Sequence, residues 1–355
     1  MIAKNRFCLL LLAMSGLPAV AATPSYVYSM TDDVASNEIE KFQRNTDGTL
    51  TYLTSVKTGG KGTGANPGSQ GSLLLEGNFL FAVNPGSNTI TVLDTSTFTV
   101  LNSYPSGGTS PVSLTYNNGF LYVLNDRGSN NISGFTVNPS TGALTQITTR
   151  RLSAGSVAPA EVSFNQSGTA LIVTEKNTSK IDIYAVKNGV AGPPTTYPSA
   201  GITPYGFAVS GNDWFFVSEA ESGVGTMAST VSSYSLSSTN VPTVITASLP
   251  LTSIAACWVV VNAAETYAYV SNNGSNTISQ LSIGPTGELT LIKAYNTGAN
   301  TDPADLAISP DGLNLYAVDA KSGALDAFTI NGDGSLTRIT GAAGTTGVHA
   351  GLVVQ

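Results

Sequence analysis

The 355-residue chain is poor in charge: Asp, Glu, Lys and Arg make up 10% of it, against roughly 25% in an average domain. Cations are the scarcer kind, 15 Lys and Arg against 22 acidic residues. So acidic a chain cannot neutralise a run of phosphates, which excludes nucleic acid as a partner. No basic amphipathic stretch offers itself to a membrane surface. Histidine occurs once, as His349, so the usual general base near neutral pH is almost missing. Its place in the sequence pattern is one that loop prolines hold elsewhere, and a partly exposed structural residue is expected there. Cysteine occurs twice. Cys8 sits in the N-terminal leader, and Cys257 in "AACWVVV" has no partner, so no disulfide forms and a small buried strand residue is expected. No segment shows a helical period, and no compact spacing of acids or imidazoles suggests a metal or cofactor. "GGKGTG" (residues 59–64) lacks the Gly-Lys-Ser/Thr ending of a phosphate loop. "NGDGSLTRI" (residues 331–339) lacks the terminal Glu of a calcium loop.

What is present begins with a leader. Lys4 and Arg6 precede the apolar run "FCLLLLAMSGLPAV", and "AVAA" ending at Ala22 supplies small residues for cleavage near Ala21 or Ala22. The run is short for a bilayer span, which needs roughly 20 apolar residues. Residues 1–22 are therefore expected to be removed, and the mature protein to be secreted or periplasmic with no membrane span. Four Asn-x-Ser sequons, at Asn131, Asn165, Asn177 and Asn273, matter only in a glycosylating host.

The rest of the chain repeats itself. "NPGSNTITVL" (residues 84–93), "DRGSNNISGF" (126–135) and "NNGSNTISQL" (272–281) are near copies. Each lies between an aliphatic-aromatic run such as "LFAVN", "LYVLN" or "AYVSN" and a second alternating run. That alternation marks strands with one buried face. Third strands such as "TLTYL", "ALTQI" and "SLTRI" follow Gly turns. Short apolar runs then follow loops that carry Gly and usually Pro: "SPVSLTY", "APAEVSF", "TPYGFAV", "DPADLAI". Four short strands recurring about every 48 residues are the signature of propeller blades. The expected fold is all-β: residues 23–355 form a single seven-bladed β-propeller of four-stranded antiparallel blades. The chain ends on "HAGLVVQ", an inner strand, and the repeat opens on "YVYSM", a second strand. The C-terminal inner strand is thus expected to pair in the N-terminal blade and close the ring. The Gly and Asn of the "GSNTI" turns are expected to supply positive φ.

These residues carry a resemblance. "YVSNNGSNTISQLSIGPTGELTLIK" and "DPADLAISPDGLNLYAVDAKSGALDAFTI" resemble the seven-bladed lactonase family of propeller 6-phosphogluconolactonases and carboxymuconate cyclases. "LFAVNPGSNTITVLDTSTFTVLNSY" is similar to the YVTN repeats of surface propellers. The resemblance implies a catalytic set of Arg, His and Glu, most of which is changed here. Where the family has Gly-Pro-Arg-His, "VAPAEVSF" keeps Pro159 but places Ala160 and Glu161. Where it has Ser-Asn-Arg-Gly-His, "SNNGS" places Asn273 and Ser275. The family's Glu is matched by Glu175, and Arg127 keeps an Arg in the turn of a different blade.

If the repeats align, Glu161, Trp258 and Asp305 stand at equivalent entrances of inner strands. Glu175, Glu219 and Asp319 likewise end second strands. Loops and strand ends of a propeller share one face, so these groups are expected around one channel mouth. There a small molecule, glycan or protein would bind Trp258, Asp305, Glu219, Asp319 and Arg127. The competing reading makes all of them solvated polar tips. Two functions remain open: an exported monomeric binding module with its catalytic Arg and His replaced, or a lactone hydrolase or cycloisomerase. The second would use Glu175 with Glu161, because two carboxylates of separated pKa can do acid and base work without His.

Overall fold

The computed structural model describes residues 25–65, 68–220, 229–299, 301–320, 322–344 and 347–355. The leader lies outside them. Seven four-stranded antiparallel sheets form the molecule. The first blade is composite, its inner strand Ala350–Val354 pairing with Ser25–Met30, then Glu38–Arg44 and Leu50–Lys57. Blades 2 to 7 follow in chain order, each running outward from an inner strand. These inner strands are Leu73–Glu76, Thr109–Asn117, Pro159–Phe164, Pro204–Val209, Ala256–Val261 and Pro303–Ile308. The helical content among the described residues is a single 3-10 turn, Asn273–Ser275.

Ring closure is as the strand order anticipates. Val27 stands opposite Val354, and Tyr28 opposite Val353. The Gln355 amide donates to the Tyr26 carbonyl at 2.8 Å, and the Tyr28 hydroxyl donates to Gln355 Oε1 at 2.9 Å. His349 departs from expectation. It is wholly buried, with Nε2 3.0 Å from Glu40 Oε2. Ring closure carries it from a loop into the seam between the two chain ends, and a buried imidazole needs such a partner.

Blades are joined by a second repeated device. A second-strand tyrosine reaches the turn before the outer strand of the next blade: Tyr122 donates to the Gly189 carbonyl, Tyr269 to Gly334 and Tyr316 to Gly48, at 2.7–2.9 Å. The turn residue must be glycine. At Gly334 φ is +74°, and a Cβ would lie 2.5 Å from the Tyr267 ring. Gly334→Val is therefore expected to lower stability by about 1–3 kcal/mol, read as a shift in the urea midpoint with unchanged slope. The "GSNTI" turns divide the labour differently from the sequence expectation. Positive φ falls on Asn88 and Asn276 in two copies and on Gly128 in the third, whereas Gly86 is required because a Cβ there would sit 2.2 Å from the Gly62 carbonyl oxygen.

Packing follows alternation. Buried side chains from adjacent sheets pack together, as where Ile172 and Ile183 of blade 4 join Phe207, Phe215 and Tyr234 of blade 5, whose Phe215 and Tyr234 rings stack at 4.7 Å. Cys257 is buried as expected, and burial pushes its thiol up to about 12.

Candidate functional site: the axial basin

The acids that end second strands do not gather at an opening. Glu219 is wholly buried and accepts from the Gly201 amide at 2.8 Å, from the Ser232 hydroxyl at 2.5 Å and from Thr230. Asp319 caps its own turn, accepting from the Ser322 amide and hydroxyl. Asn84 and Asn272 hold the same position in other blades, donating to Thr89 and Thr91, and to Thr277 and Ser279. Where the second strand ends in Asn84, Asn125, Glu219 or Asn272, that residue is a buried polar latch on its blade's third strand. Apart from Asn131, which meets Asn125, the partners are the repeated small hydroxyl residues at the start of that strand, a signal visible in the sequence only once the register is known.

Glu175 is the latch of blade 4. It is wholly buried and accepts from the Ser153 amide and hydroxyl at 3.1 and 2.7 Å, and from the Thr178 hydroxyl at 2.6 Å. The cross-strand hydroxyl of other blades is replaced here by Asp182, also wholly buried. Burial pushes Asp182 up to about 7, and the neighbouring Glu175 carboxyl adds to that shift. No described hydrogen bond links Glu175 to Glu161.

The inner-strand residues do converge, but inside the channel. Glu161, Trp258 and Asp305 are 7%, 2% and 4% exposed. Asp305 accepts from the Leu306 amide at 3.0 Å. Burial pushes its carboxyl up to about 7 against the opposing amides of Leu306, Gly71 and Leu352. Trp258 packs edge-on against Tyr205 at 5.6 Å, and its indole N–H has no hydrogen-bond partner among the described residues. Glu161 Oε2 accepts from the Phe207 amide at 2.6 Å. Burial holds the Glu161 carboxyl well above the ordinary range, and the charge of Asp305 adds to this. Arg127 lies apart, exposed at the end of its strand.

Glu161 opens onto a basin of about 510 Å³, within the range of small-molecule sites. Its other walls include Asn117, Asn165, Val209, Val261 and Ile308, all at or just beyond the C-terminal ends of inner strands. Glu175 lies at the opposite end of blade 4 from the basin mouth, for Pro159 pairs with Glu175 whereas Phe164 pairs with Leu171, and Glu161 stands between them in the bulge that follows Pro159. Glu175 is wholly buried in its own sheet and does not line the basin onto which Glu161 opens. Strand polarity puts the latches on one face and the basin on the other. Among the described residues, Glu161 is the one carboxylate along the basin wall, and no Lys, Arg or His lines it. Gln70, Asn117, Asn165, Gln166, Thr115, Ser163 and Tyr116 add polar groups to the wall.

Gln70 and Lys176 were not legible as site residues. Gln70 comes from the connection 58–72, the longest among the blades, and enters the channel. Lys176 donates to the Gly68 carbonyl at 2.7 Å and lies 4.6 Å over the Tyr205 ring. Burial lowers its pKa, opposed by Asp126. Of the sequons, Asn131 and Asn165 are buried while Asn177 is exposed. No group of three or more His, Cys, Asp or Glu able to hold a metal stands among the described residues. No described helix is long and apolar enough to cross a membrane.

Among solved structures the fold is similar to a Lactobacillus plantarum protein at TM-score 0.77 and 17% identity, covering 94% of this chain and 99% of that one. It is similar to the periplasmic gluconolactonase of Pseudomonas aeruginosa at TM-score 0.72 and 14% identity, covering 94% and 99%. A Bacteroides fragilis protein provisionally assigned as a 6-phosphogluconolactonase matches at TM-score 0.76 and 17% identity, covering 95% and 99%. Identities this low show the fold alone. No curated protein sequence matches the chain. The profile of the family described as lactonase, 7-bladed beta-propeller, matches residues 20–157, 106–201 and 205–349, so the chain belongs to the seven-bladed lactonase propellers.

Proposed function

We propose that this is an exported propeller whose basin binds a neutral, hydroxyl-rich small molecule, a sugar or sugar lactone. One observation carries the reading: a 510 Å³ cavity lined, among the described residues, by amides, hydroxyls and one carboxyl group, without a cation. Amides and hydroxyls match the donors and acceptors of a polyol. A phosphate would meet no positive charge and face Glu161, so phosphorylated lactones are disfavoured. Export rests on the leader at residues 1–22 and agrees with a periplasmic relative of the same fold.

Calorimetry with D-glucono-1,5-lactone and its 6-phosphate tests this. The neutral compound is expected to bind at least about tenfold more tightly, and Glu161→Gln to weaken it by about tenfold, the loss of one charged hydrogen bond. Equal or tighter binding of the phosphate ester would overturn the reading. Glu175→Gln is expected to leave affinity unchanged, because that side chain is sealed inside blade 4.

A second reading, lactone hydrolysis, is favoured by Glu161 itself. Oε2 is held by the Phe207 amide, and no described hydrogen bond occupies Oε1. As carboxylate, Glu161 would take a proton from a water attacking the lactone carbonyl. It would return that proton to the ring oxygen as the ester bond breaks, giving the hydroxy acid. In this reading Glu161→Gln abolishes turnover, and the rate rises with pH because the ionised form is the base. Binding without turnover in the unaltered protein restricts it to a binding module.

A further inference from the structure

Five consecutive residues, 68–72, are bonded to different parts of the ring. The Gly68 carbonyl accepts from Lys176, and the Ser69 and Ser72 hydroxyls donate to the Val112 carbonyl at 2.9 and 3.1 Å. The Gly71 carbonyl accepts from the Leu114 amide at 2.8 Å. Gln70 reaches furthest. Its backbone amide donates to the Ala160 carbonyl of blade 4 at 3.2 Å. Its side chain makes a two-point contact with blade 6, Nε2 donating to the Val259 carbonyl at 2.8 Å and Oε1 accepting from the Val259 amide at 3.0 Å. Blade 5, which lies between, has glycine at the facing position. A Cβ on Gly206 would sit 2.4 Å from Gln70 Oε1 and 2.7 Å from the Cys257 carbonyl oxygen.

We propose that Gln70 is the stopper of the axial channel and the positioning residue of the basin. It closes the channel from the latch face and sets the depth at which a ligand meets Glu161. Three observations support this. Gln70 lines the same basin as Glu161. It stands in for an absent wall residue, because Gly206 leaves a gap that the glutamine fills. Its two-point contact copies a strand pairing, and a flexible side chain is so held at a fixed height. Deeper in the channel, Trp258 and Asp305 are almost wholly buried. A ligand therefore reaches Glu161 only through the ring of inner-strand ends. The positioning half of this proposal rests on the basin being the ligand site, whereas the stopper half stands on contacts within the protein.

The two halves are tested separately. The chain has two tryptophans, so in a Trp214→Phe background fluorescence reports Trp258 alone. Acrylamide is expected to quench it weakly, and Gln70→Ala to raise the quenching constant at least about threefold by opening the channel. Gln70→Met keeps the length of the side chain and loses its amide. It is expected to keep quenching low at a melting temperature reduced as in Gln70→Ala, which separates plugging from stability. Lys176→Met, which removes one tether of the plug at Gly68 and keeps an apolar side chain against Tyr205, is expected to give an intermediate rise. It decides the matter if Gln70→Ala does not fold. Unchanged quenching in the folded alanine variant, or failing that in Lys176→Met, overturns the stopper. D-glucono-1,5-lactone affinity is expected to fall at least about fivefold in Gln70→Ala, and an unchanged affinity overturns the positioning role. Failure of the unaltered protein to bind this lactone or any neutral sugar, with quenching as expected, removes the ligand reading and the positioning role with it, and leaves the stopper in place.

Discussion

Deletion of residues 351–355 is expected to lower the melting temperature by more than about 10 °C. The segment supplies the inner strand of the composite first blade, with Leu352, Val353 and Val354 paired against Ser29, Tyr28 and Val27. Its removal exposes the edge of Ser25–Met30 along the channel and leaves Leu352, 4% exposed in the ring, without a replacement. Loss of a buried leucine costs about 2–5 kcal/mol. Each ladder hydrogen bond adds about 1 kcal/mol, including those of Gln355 with Tyr26 and Tyr28. The Leu352 amide also serves Asp305, so the cut leaves a channel carboxyl short of a donor. A shorter deletion of Gln355 alone removes its contacts but keeps the paired strand, and only a few degrees should be lost. Differential scanning calorimetry of both truncations gives the comparison. Equal melting of the intact and five-residue-truncated proteins would mean that the ring is not held by this strand.

Melting should also depend on pH in an unusual direction. Burial raises Asp305 and Asp182 to about 7 and Asp32 to about 6, whereas an unfolded Asp titrates near 4. Between these values the folded protein holds protons that the unfolded chain has released. The stabilisation is full below the unfolded value, falls as pH rises, and is gone once pH passes about 7. Exposed acids of the turns work in the opposite sense. Hydrogen bonds to their own loops hold Asp47, Asp94 and Asp333 below the ordinary carboxylate range, so their contribution fades only in stronger acid. Maximum stability is therefore expected on the acid side of neutrality, near the unfolded value of about 4, with the loss concentrated between about pH 4 and pH 7. Asp182→Asn should flatten this dependence and raise the melting temperature at pH 8. Its amide keeps an acceptor for Thr196 and can donate to Glu175 without a charge. A melting temperature at pH 8 equal to that at pH 5 in the unaltered protein would contradict the buried protons.

How far the residues announced the structure depends on whether the information is local. Strand alternation, turn glycines and a recurring four-strand unit are properties of neighbouring residues. "LYVLN", "NISGF" and "ALTQI" therefore stated the blade count, the antiparallel order and the closing role of "HAGLVVQ". Burial of Cys257 followed from the apolar run "AACWVVV", whereas Trp258, expected at the channel mouth, is buried as well. The positive φ of the repeated turns was legible, although which residue bears it was not. Glycine and asparagine both tolerate that conformation, and only the contact between Gly86 and Gly62 separates their tasks.

The site was decided in three dimensions. Glu161 and Glu175 are 14 positions apart and sit on adjoining strands, so nothing local distinguishes a carboxyl facing the axis from one facing its own sheet. The inner strand bulges between Pro159 and Val162, and Glu161 there meets the amide of Phe207 in the next blade. Glu175 meets Asp182 and becomes a latch. His349 passes from loop to buried seam because the partner, Glu40, lies at the other end of the chain. Gln70 acquires a role because a glycine in blade 5 leaves it room. The sequence by itself determined the ring, since each blade is written in consecutive residues. The tertiary structure alone decided which polar groups share a cavity, because that depends on contacts between blades far apart in the chain.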